Sequence, residues 1–405
     1  MSVANRHTFD TPASPMRDES TRTVPEGGIA APIPGAGPGV RHLYVHLPFC
    51  AHRCGYCDFV TVTGHDGEHD SYVDALLAEL ELERRLLADE VETVFLGGGT
   101  PTFTEPAALA RLLVALPDAA ETTVEANPET ITPELAALLR AHGVGRISLG
   151  AQSFQTHLLE TLERRASPDD VRAAVRTLRH AGFDNVSLDL IYGIPGQTVA
   201  DLERDLGEAL ALEPEHLSCY ELEAKPGTRF THAHGVELER QCEAMEDYFE
   251  RVVETLSGAG YRWYETANFC RADESRDLRA RHNLGYWLGH DYLGVGVGAV
   301  STVGGLRWRN APSLPRYLAS LGRGERPDRE LEQLEPATTA RERVMLGLRL
   351  DEPLELNGLA AAVDGDALAR LQRHGLIEAT GDTLELTRRG RFLGGGVTAE
   401  LLVES

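Results

Sequence analysis

From residue 41 to residue 220 the chain repeats one unit: a short apolar run, a turn, then an amphipathic stretch. The apolar runs fall at residues 43–47, 93–96, 123–126, 146–149, 186–191 and 216–220, and the amphipathic stretches at 71–87, 105–116, 133–142, 168–181 and 199–210. The runs have the length and branching of buried strands, and the stretches between them carry the three-to-four-residue period of a helix face. Strand, helix, strand in steady repetition predicts right-handed βαβ units around a parallel sheet, an α/β fold. Six strands are legible, and such folds keep their chemistry just beyond the strands' C-terminal ends.

The first run ends in LYVHLPFCAHRCGYCDF, residues 43–59, which sets Cys50, Cys54 and Cys57 in a CxxxCxxC spacing. Three thiolates this close need a cation between them, and soft ligands select zinc or an iron–sulfur cluster. A structural zinc would need a fourth ligand, with His46 or His52 at hand. A [4Fe–4S] cube on three cysteines would instead keep one iron free to take a substrate or cofactor. After the second run, GGGTP at residues 97–101 exposes backbone without Cβ atoms, a ligand cradle or simply a turn. Glu125 ends the third run as a strand-end acid or an acceptor for cofactor donors. Gln152 ends the fourth. Asp189, set among Leu188, Leu190 and Ile191, must be paired if buried, as an ion-pair member or a ligand contact.

Composition narrows the function classes. Of 405 residues 42% are hydrophobic and 25% charged, as in soluble globular proteins. The longest apolar runs are too short to span a membrane, and the N-terminal segment lacks a signal-peptide design. Cys219, Cys242 and Cys270 are scattered outside the cluster and suggest no disulfide framework, which fits a reducing cytoplasm. A formal charge of −24 disfavours nucleic acid as a partner.

Residues 1–40, rich in Pro, Gly, Ser and Thr, are expected to be a disordered leader. Residues 41–325 form the core and its extension, with a helix at 241–257, a strand at 262–266 and short strands in the Gly-rich 294–305. From residue 330 helices are expected at 338–349, 356–363 and 366–374. Strands at 376–379 and 383–386 then flank Gly381 and Asp382 as a hairpin. That pattern is winged-helix-like, but residues 331–405 hold 8 Lys and Arg against 13 Asp and Glu. Packing or partner binding suits it better than DNA.

The cysteine spacing, Tyr56 ahead of the third cysteine and GGGTP together resemble the radical S-adenosylmethionine (radical SAM) superfamily. Within it, the chain resembles the oxygen-independent coproporphyrinogen III oxidase family, in its heme-chaperone (HemW-like) branch. The motifs YVHLPFC, FLGGGTPT, VEANPE, ISLGAQSF, SLDLIYGIPGQT, YELEAKPGT, ETANF, HNLGYW and RVMLGLRL carry the likeness from residue 44 onward. The resemblance implies a partial (β/α)6 TIM-like barrel followed by the mostly helical winged-helix-like domain. It implies a [4Fe–4S] cluster on Cys50, Cys54 and Cys57 with S-adenosyl-L-methionine (SAM) on the open iron. Its SAM contacts map onto Tyr44, Tyr56, Gly98, Gly99, Thr100, Glu125, Gln152, Arg164 and Asp189. In such proteins an electron from the reduced cluster splits the sulfonium into methionine and a 5′-deoxyadenosyl radical, so an electron donor is an implied partner.

The resemblance further implies heme as a ligand and acceptor hemoproteins as partners, respiratory-chain enzymes being candidates. His282 of HNLGYW could ligate heme iron beside Tyr286 and Trp287, or that helix could pack its aromatics in the core. Arg307 and Arg309 could meet propionates or form a solvated face. Two departures stand out. Oxidases that decarboxylate coproporphyrinogen carry a further cysteine two positions after the third, where this chain has Phe59, which points to the chaperone branch. The family's Leu-Gly-Arg-x-His run reads here Leu162, Glu163, Arg164, Arg165, Ala166.

Overall fold

The computed structural model describes residues 39–223, 229–242 and 244–403. Nearly all of the expected leader, and residues 224–228 of YELEAKPGT, lie outside the described residues. The first half alternates as its periodicity demands: β1 (His42–Leu47), α1 (His69–Glu83), β2 (Val91–Gly98), α2 (Pro106–Ala115), β3 (Ala119–Ala126), α3 (Pro133–Ala141) and β4 (Arg146–Gln152). Then come α4 (Thr156–Thr161), α5 (Pro168–His180), β5 (Val186–Tyr192), α6 (Val199–Ala211), β6 (His216–Glu221), α7 (Arg229–Gln241) and α8 (Met245–Gly258). Helix α5 starts at a reciprocal cap between Ser167 and Asp170 with Pro168 in the first turn, and α6 starts likewise at Thr198 and Asp201.

After α8 follow β7 (Tyr261–Glu265), β8 (Asn268–Arg271), α9 (Arg281–Trp287), β9 (Leu293–Val295), β10 (Val300–Val303), β11 (Leu306–Asn310), α10 (Leu314–Gly322) and β12 (Arg329–Gln333). The C-terminal part holds α11 (Pro336–Gly347), β13 (Leu354–Glu355), α12 (Gly365–Arg373), β14 (Ile377–Thr380), β15 (Thr383–Leu386), α13 (Arg388–Phe392) and α14 (Gly394–Leu401).

Strands β1 to β6 lie side by side in chain order, all parallel, and the whole sheet runs β7-β8-β6-β5-β4-β3-β2-β1-β9. This is the six-stranded partial barrel with strands added at both sides: β9 extends it parallel to β1, and beyond β6 lie β8, antiparallel to it, and then β7. Along β1, Leu43, Val45 and Leu47 are fully buried among the core side chains. The alternate residues His42, Tyr44 and His46 share the opposite face with Thr93, Phe95 and Gly97 of β2, so that face is polar.

The Gly-rich stretch does form β9 and β10, and one carboxylate holds it in place. Glu79 of α1 is fully buried and accepts from Gly296 N (2.7 Å), Asn310 Nδ2 (2.7 Å) and Tyr317 Oη (2.6 Å), with Arg329 Nη2 at 3.3 Å. Four donors on one buried carboxylate offset its desolvation and tie α1, β11, α10 and β12 to the outer edge.

Near the C-terminus a separate apolar cluster, including Val344, Leu348, Leu371, Ile377, Leu384 and Leu401, packs α11, α12, the β14–β15 hairpin and α14. The hairpin turns at Gly381, φ +60°. The helix expected at 356–363 is replaced by turns and a single 3-10 turn, Ala360–Ala362, after the two-residue strand β13. Gly358 at φ +77° breaks it. Helices α4, α13 and α14 were not legible, because six, five and eight residues are too few to display a period. No helix among the described residues is long and apolar enough to cross a membrane.

Candidate functional site

The cysteine loop leaves the C-terminal end of β1 and returns on itself, with Cys50 N bonded to Val62 O (3.0 Å) and Val62 N to Pro48 O (2.9 Å). Gly99 N donates to Leu47 O and Thr100 N to Phe49 O, both at 2.8 Å, which stitches GGGTP to the loop's base. The glycines answer to the protein itself. A Cβ on Gly98, φ +113°, would lie 2.5 Å from the His46 ring, and one on Gly99 2.5 Å from Pro48 O. Glycine is what lets the two loops meet, whatever else binds there.

All six cysteines are free thiols. Cys50 Sγ lies 3.4 Å from Thr100 Oγ1, which accepts from Asn127 Nδ2 (3.0 Å). Arg164 Nη2 donates to Asn127 Oδ1 (3.0 Å) and Gly150 O (2.8 Å), while its Nη1 reaches Cys54 Sγ at 3.7 Å. One polar chain, Cys50–Thr100–Asn127–Arg164–Cys54, therefore links two of the thiols. Asn127 was not singled out from sequence; its place directly after Glu125 and Ala126 in VEANPE was the available signal.

Burial pushes the Cys57 thiol up to about 11 and the Cys50 thiol up, with the neighbouring thiols adding to both. Without a cation these sulfurs hold their protons, and a metal centre among them is what would favour thiolates. Among the described residues no set of three His, Cys, Asp or Glu has an arrangement that could hold a single metal ion. His46, a candidate fourth zinc ligand, has both ring nitrogens engaged, with Tyr44 Oη (3.0 Å) and Val60 O (2.8 Å).

A cleft beside the loop is lined by His52, Cys54, Thr100, Asn127, Glu129 and Arg164. The Arg164 Nε is buried there without a hydrogen-bond partner. Tyr56 packs onto the apolar cluster of Leu158, Leu162, Ile191 and Phe230, which anchors the loop from below. Gln152 (φ +65°) and Glu163 (φ +57°) sit at the same rim in the left-handed region. That costs a non-glycine residue about 1–2 kcal/mol. Gln152 marks a bulge where the β4–β5 register slips, so it leaves the strand's regular path at the barrel mouth.

Deeper in, Glu125 Oε2 accepts from Gly98 N (3.0 Å) and Asp189 accepts from Ser148 Oγ (3.2 Å). Burial, then the Asp189 charge, raises Glu125 to about 8, and burial raises Asp189 to about 6. Two neighbouring carboxyls, neither in an ion pair among the described residues, favour amino or cationic groups beside them. A carboxyl with a folded pKa above its unfolded value binds its proton more tightly in the fold. The apoprotein therefore loses stability as pH rises from about 4.5 through about 8. Melting curves of wild type and Glu125→Gln across that range check this: the variant's advantage is expected to grow with pH, and a constant difference contradicts it.

His282 lies elsewhere. Its Nδ1 bonds Thr93 Oγ1 (2.8 Å) and its Nε2 bonds Tyr286 Oη (2.9 Å). Thr93 also bonds His42 Nδ1 (2.9 Å), and His42 Nε2 meets His290 Nδ1 (3.1 Å). Burial holds His282 at about 3 and His42 at about 4, so both rings are neutral. Thr93 precedes Gly98 by five residues, about 16 Å along the strand. The HNLGYW helix therefore closes the barrel's floor, at the opposite end from the cysteines. Trp287 lies under Arg349, whose guanidinium carbon is 4.4 Å from the ring centroid. Arg307 is held by Glu342 (3.0 Å) of α11.

Six parallel βα units, with three free cysteines beyond the first strand and a glycine loop beyond the second, define a protein of radical SAM architecture. Residues 44–209 match the Radical SAM superfamily and residues 334–393 the HemN C-terminal domain. The heme chaperone HemW of Mycobacterium tuberculosis (strain ATCC 25618 / H37Rv) is 40% identical over 385 residues, 92% of this chain and 96% of the relative. That of Bacillus subtilis (strain 168) is 33% identical, covering 90% of this chain and all of the relative. Coproporphyrinogen III oxidase (HemN) from Escherichia coli, described as a radical SAM enzyme, superposes with TM-score 0.76 at 25% identity, covering 90% of this chain and 91% of that one. The chain belongs to the HemW heme-chaperone family of radical SAM proteins.

Proposed function

We propose that this protein binds heme and passes it to acceptor hemoproteins, respiratory-chain enzymes among them, and that it carries a [4Fe–4S] cluster with SAM at the barrel mouth. The observation that carries the reading is the 40% identity to a heme chaperone along 96% of that relative's length. In support, Phe59 stands where a porphyrinogen decarboxylase would have another cysteine. Its surroundings are the cytoplasm, where the six thiols stay reduced. In this reading the chain divides into a leader over residues 1–40, the barrel and its extension over 41–325, and a winged-helix-like domain over 330–405.

Cys50, Cys54 and Cys57 would hold the cluster, and Arg164 would offset thiolate charge at Cys54. Glu125 and Asp189 would receive SAM's cationic and hydroxyl donors, with Tyr44, Tyr56, Gly98, Gly99, Thr100 and Gln152 completing the rim. When bound, cluster and SAM supply one-electron cleavage of the sulfonium, with the electron drawn from a separate donor. The chain's own part is to bind, orient and keep water out.

The deciding assay follows 5′-deoxyadenosine release from SAM and dithionite, on anaerobically reconstituted protein, with heme or coproporphyrinogen III added. Stoichiometric heme binding with the porphyrinogen untouched is the expected result. Decarboxylation in step with SAM consumption would make the protein an oxidase, which the HemN superposition keeps in view.

The heme contact at His282 requires Tyr286 to leave Nε2. Replacing His282 with Ala is expected to cost about 2–4 kcal/mol, since it removes two buried hydrogen bonds and leaves a void in the floor. Heme titration separates the roles: weakened binding at an unchanged melting temperature assigns an iron ligand. Lowered stability with unchanged affinity assigns a floor residue, the outcome that the two existing hydrogen bonds favour.

A further inference from the structure

Glu163 follows the short helix α4 and immediately precedes Arg164, the residue that reaches Cys54. Its backbone at φ +57° is one of three left-handed non-glycine positions among the described residues, with Gln152 and Glu213. Two of the three sit at the barrel mouth, where a strained conformation survives only if its neighbours hold it. A glycine would meet this φ without strain; the glutamate here carries a carboxylate that reaches a neighbouring loop.

What it meets is the cysteine loop. A Cβ on Gly55, between Cys54 and Tyr56, would lie 3.0 Å from Glu163 Oε1 and 3.2 Å from Phe230 Cδ2. The carboxylate thus lies on bare backbone next to a cysteine, while the adjoining Arg164 approaches the same cysteine from the cleft. The two side chains set an acidic and a basic group beside the same stretch of loop.

We propose that Glu163 is a positioning residue of the cysteine loop, whose carboxylate packs on Gly55 and lowers the reduction potential of the cluster bound there. The proposal rests on the cluster reading above. A negative charge within a few ångströms of the loop, in a half-buried site of low effective dielectric, disfavours adding an electron to the cluster.

The test uses the full chain, reconstituted anaerobically with iron and sulfide, as wild type, Glu163→Gln, Glu163→Asp and Glu163→Gly. Potentiometric titration against dithionite, followed by electron paramagnetic resonance, reads the cluster's midpoint. Glu163→Gln and Glu163→Gly are expected to raise it, so that the reduced-to-oxidised ratio at a set potential rises up to about tenfold, about 59 mV for one electron. Glu163→Asp is expected to restore most of the wild-type value, which a purely steric role would not do. Equal midpoints for wild type and Glu163→Gln at equal iron content overturn the proposal. Should Glu163→Gln fail to take up a cluster, Glu163→Gly carries the same comparison, and an unchanged midpoint there is equally fatal. A wild type that assembles no cluster overturns the cluster reading as well, whereas an assembled cluster indifferent to residue 163 overturns this inference alone.

Discussion

After anaerobic reconstitution, a chain carrying Cys54→Ala is expected to hold iron and sulfide only at the level of an unreconstituted control, and to release no 5′-deoxyadenosine from SAM. The same is expected of Cys50→Ala and Cys57→Ala. With three protein ligands on the cube, losing one leaves a second iron uncapped. The fold should persist: Cys54 is part-exposed and Cys57 half-buried, and neither belongs to the main core. Unchanged far-ultraviolet dichroism beside lost iron is therefore the expected signature. A brown chromophore in the triple variant would contradict the cluster assignment.

The second large effect lies far from that loop. Glu265 at the end of β7 is fully buried, and its Oε2 accepts from Ala267 N (3.0 Å) and Asn268 Nδ2 (2.6 Å). The other oxygen pairs with Arg349, which also covers Trp287. Arg349→Ala leaves a buried carboxylate without its cation, at a cost of about 3–5 kcal/mol. Denaturant unfolding should register that loss, and Arg349→Ala combined with Glu265→Gln should recover part of it. A single variant as stable as wild type would show that the pair does not hold α11 and its loop to the barrel.

This pair explains motifs that were legible only as resemblance. RVMLGLRL supplies Arg349, ETANF supplies Glu265, and HNLGYW supplies Trp287, which meet where the C-terminal helices dock on the barrel. Phe392 of α13 adds to that contact by packing against Phe249 and Trp263. From sequence, HNLGYW left open a heme contact at His282 or aromatic packing in the core. In the fold its histidine, with both nitrogens bonded, fills the barrel's floor beside His42 and Thr93.

The glycine loop was likewise open from sequence between a ligand cradle and a turn; in the fold Gly98 and Gly99 are required by His46 and Pro48 in any case. Sequence could not report this, because the clashing partners come from β1 and the residue after it, some fifty residues earlier. Asn127 escaped for the same reason: it matters only because Thr100 and Arg164 converge on it from two other strand ends.

The sequence by itself determined the parallel α/β order, the six core strands, the placement of three cysteines beyond the first of them, and membership of a family. Those features are local: hydrophobic period, cap residues and spacing act within a few residues and leave their mark in the string. Only the tertiary structure decided which polar groups share a partner, why the glycines are needed, that HNLGYW closes the floor, and that Glu163 lies against Gly55. Such facts depend on side chains from distant segments meeting in a desolvated space, where one lost hydrogen bond or one unpaired charge costs several kilocalories.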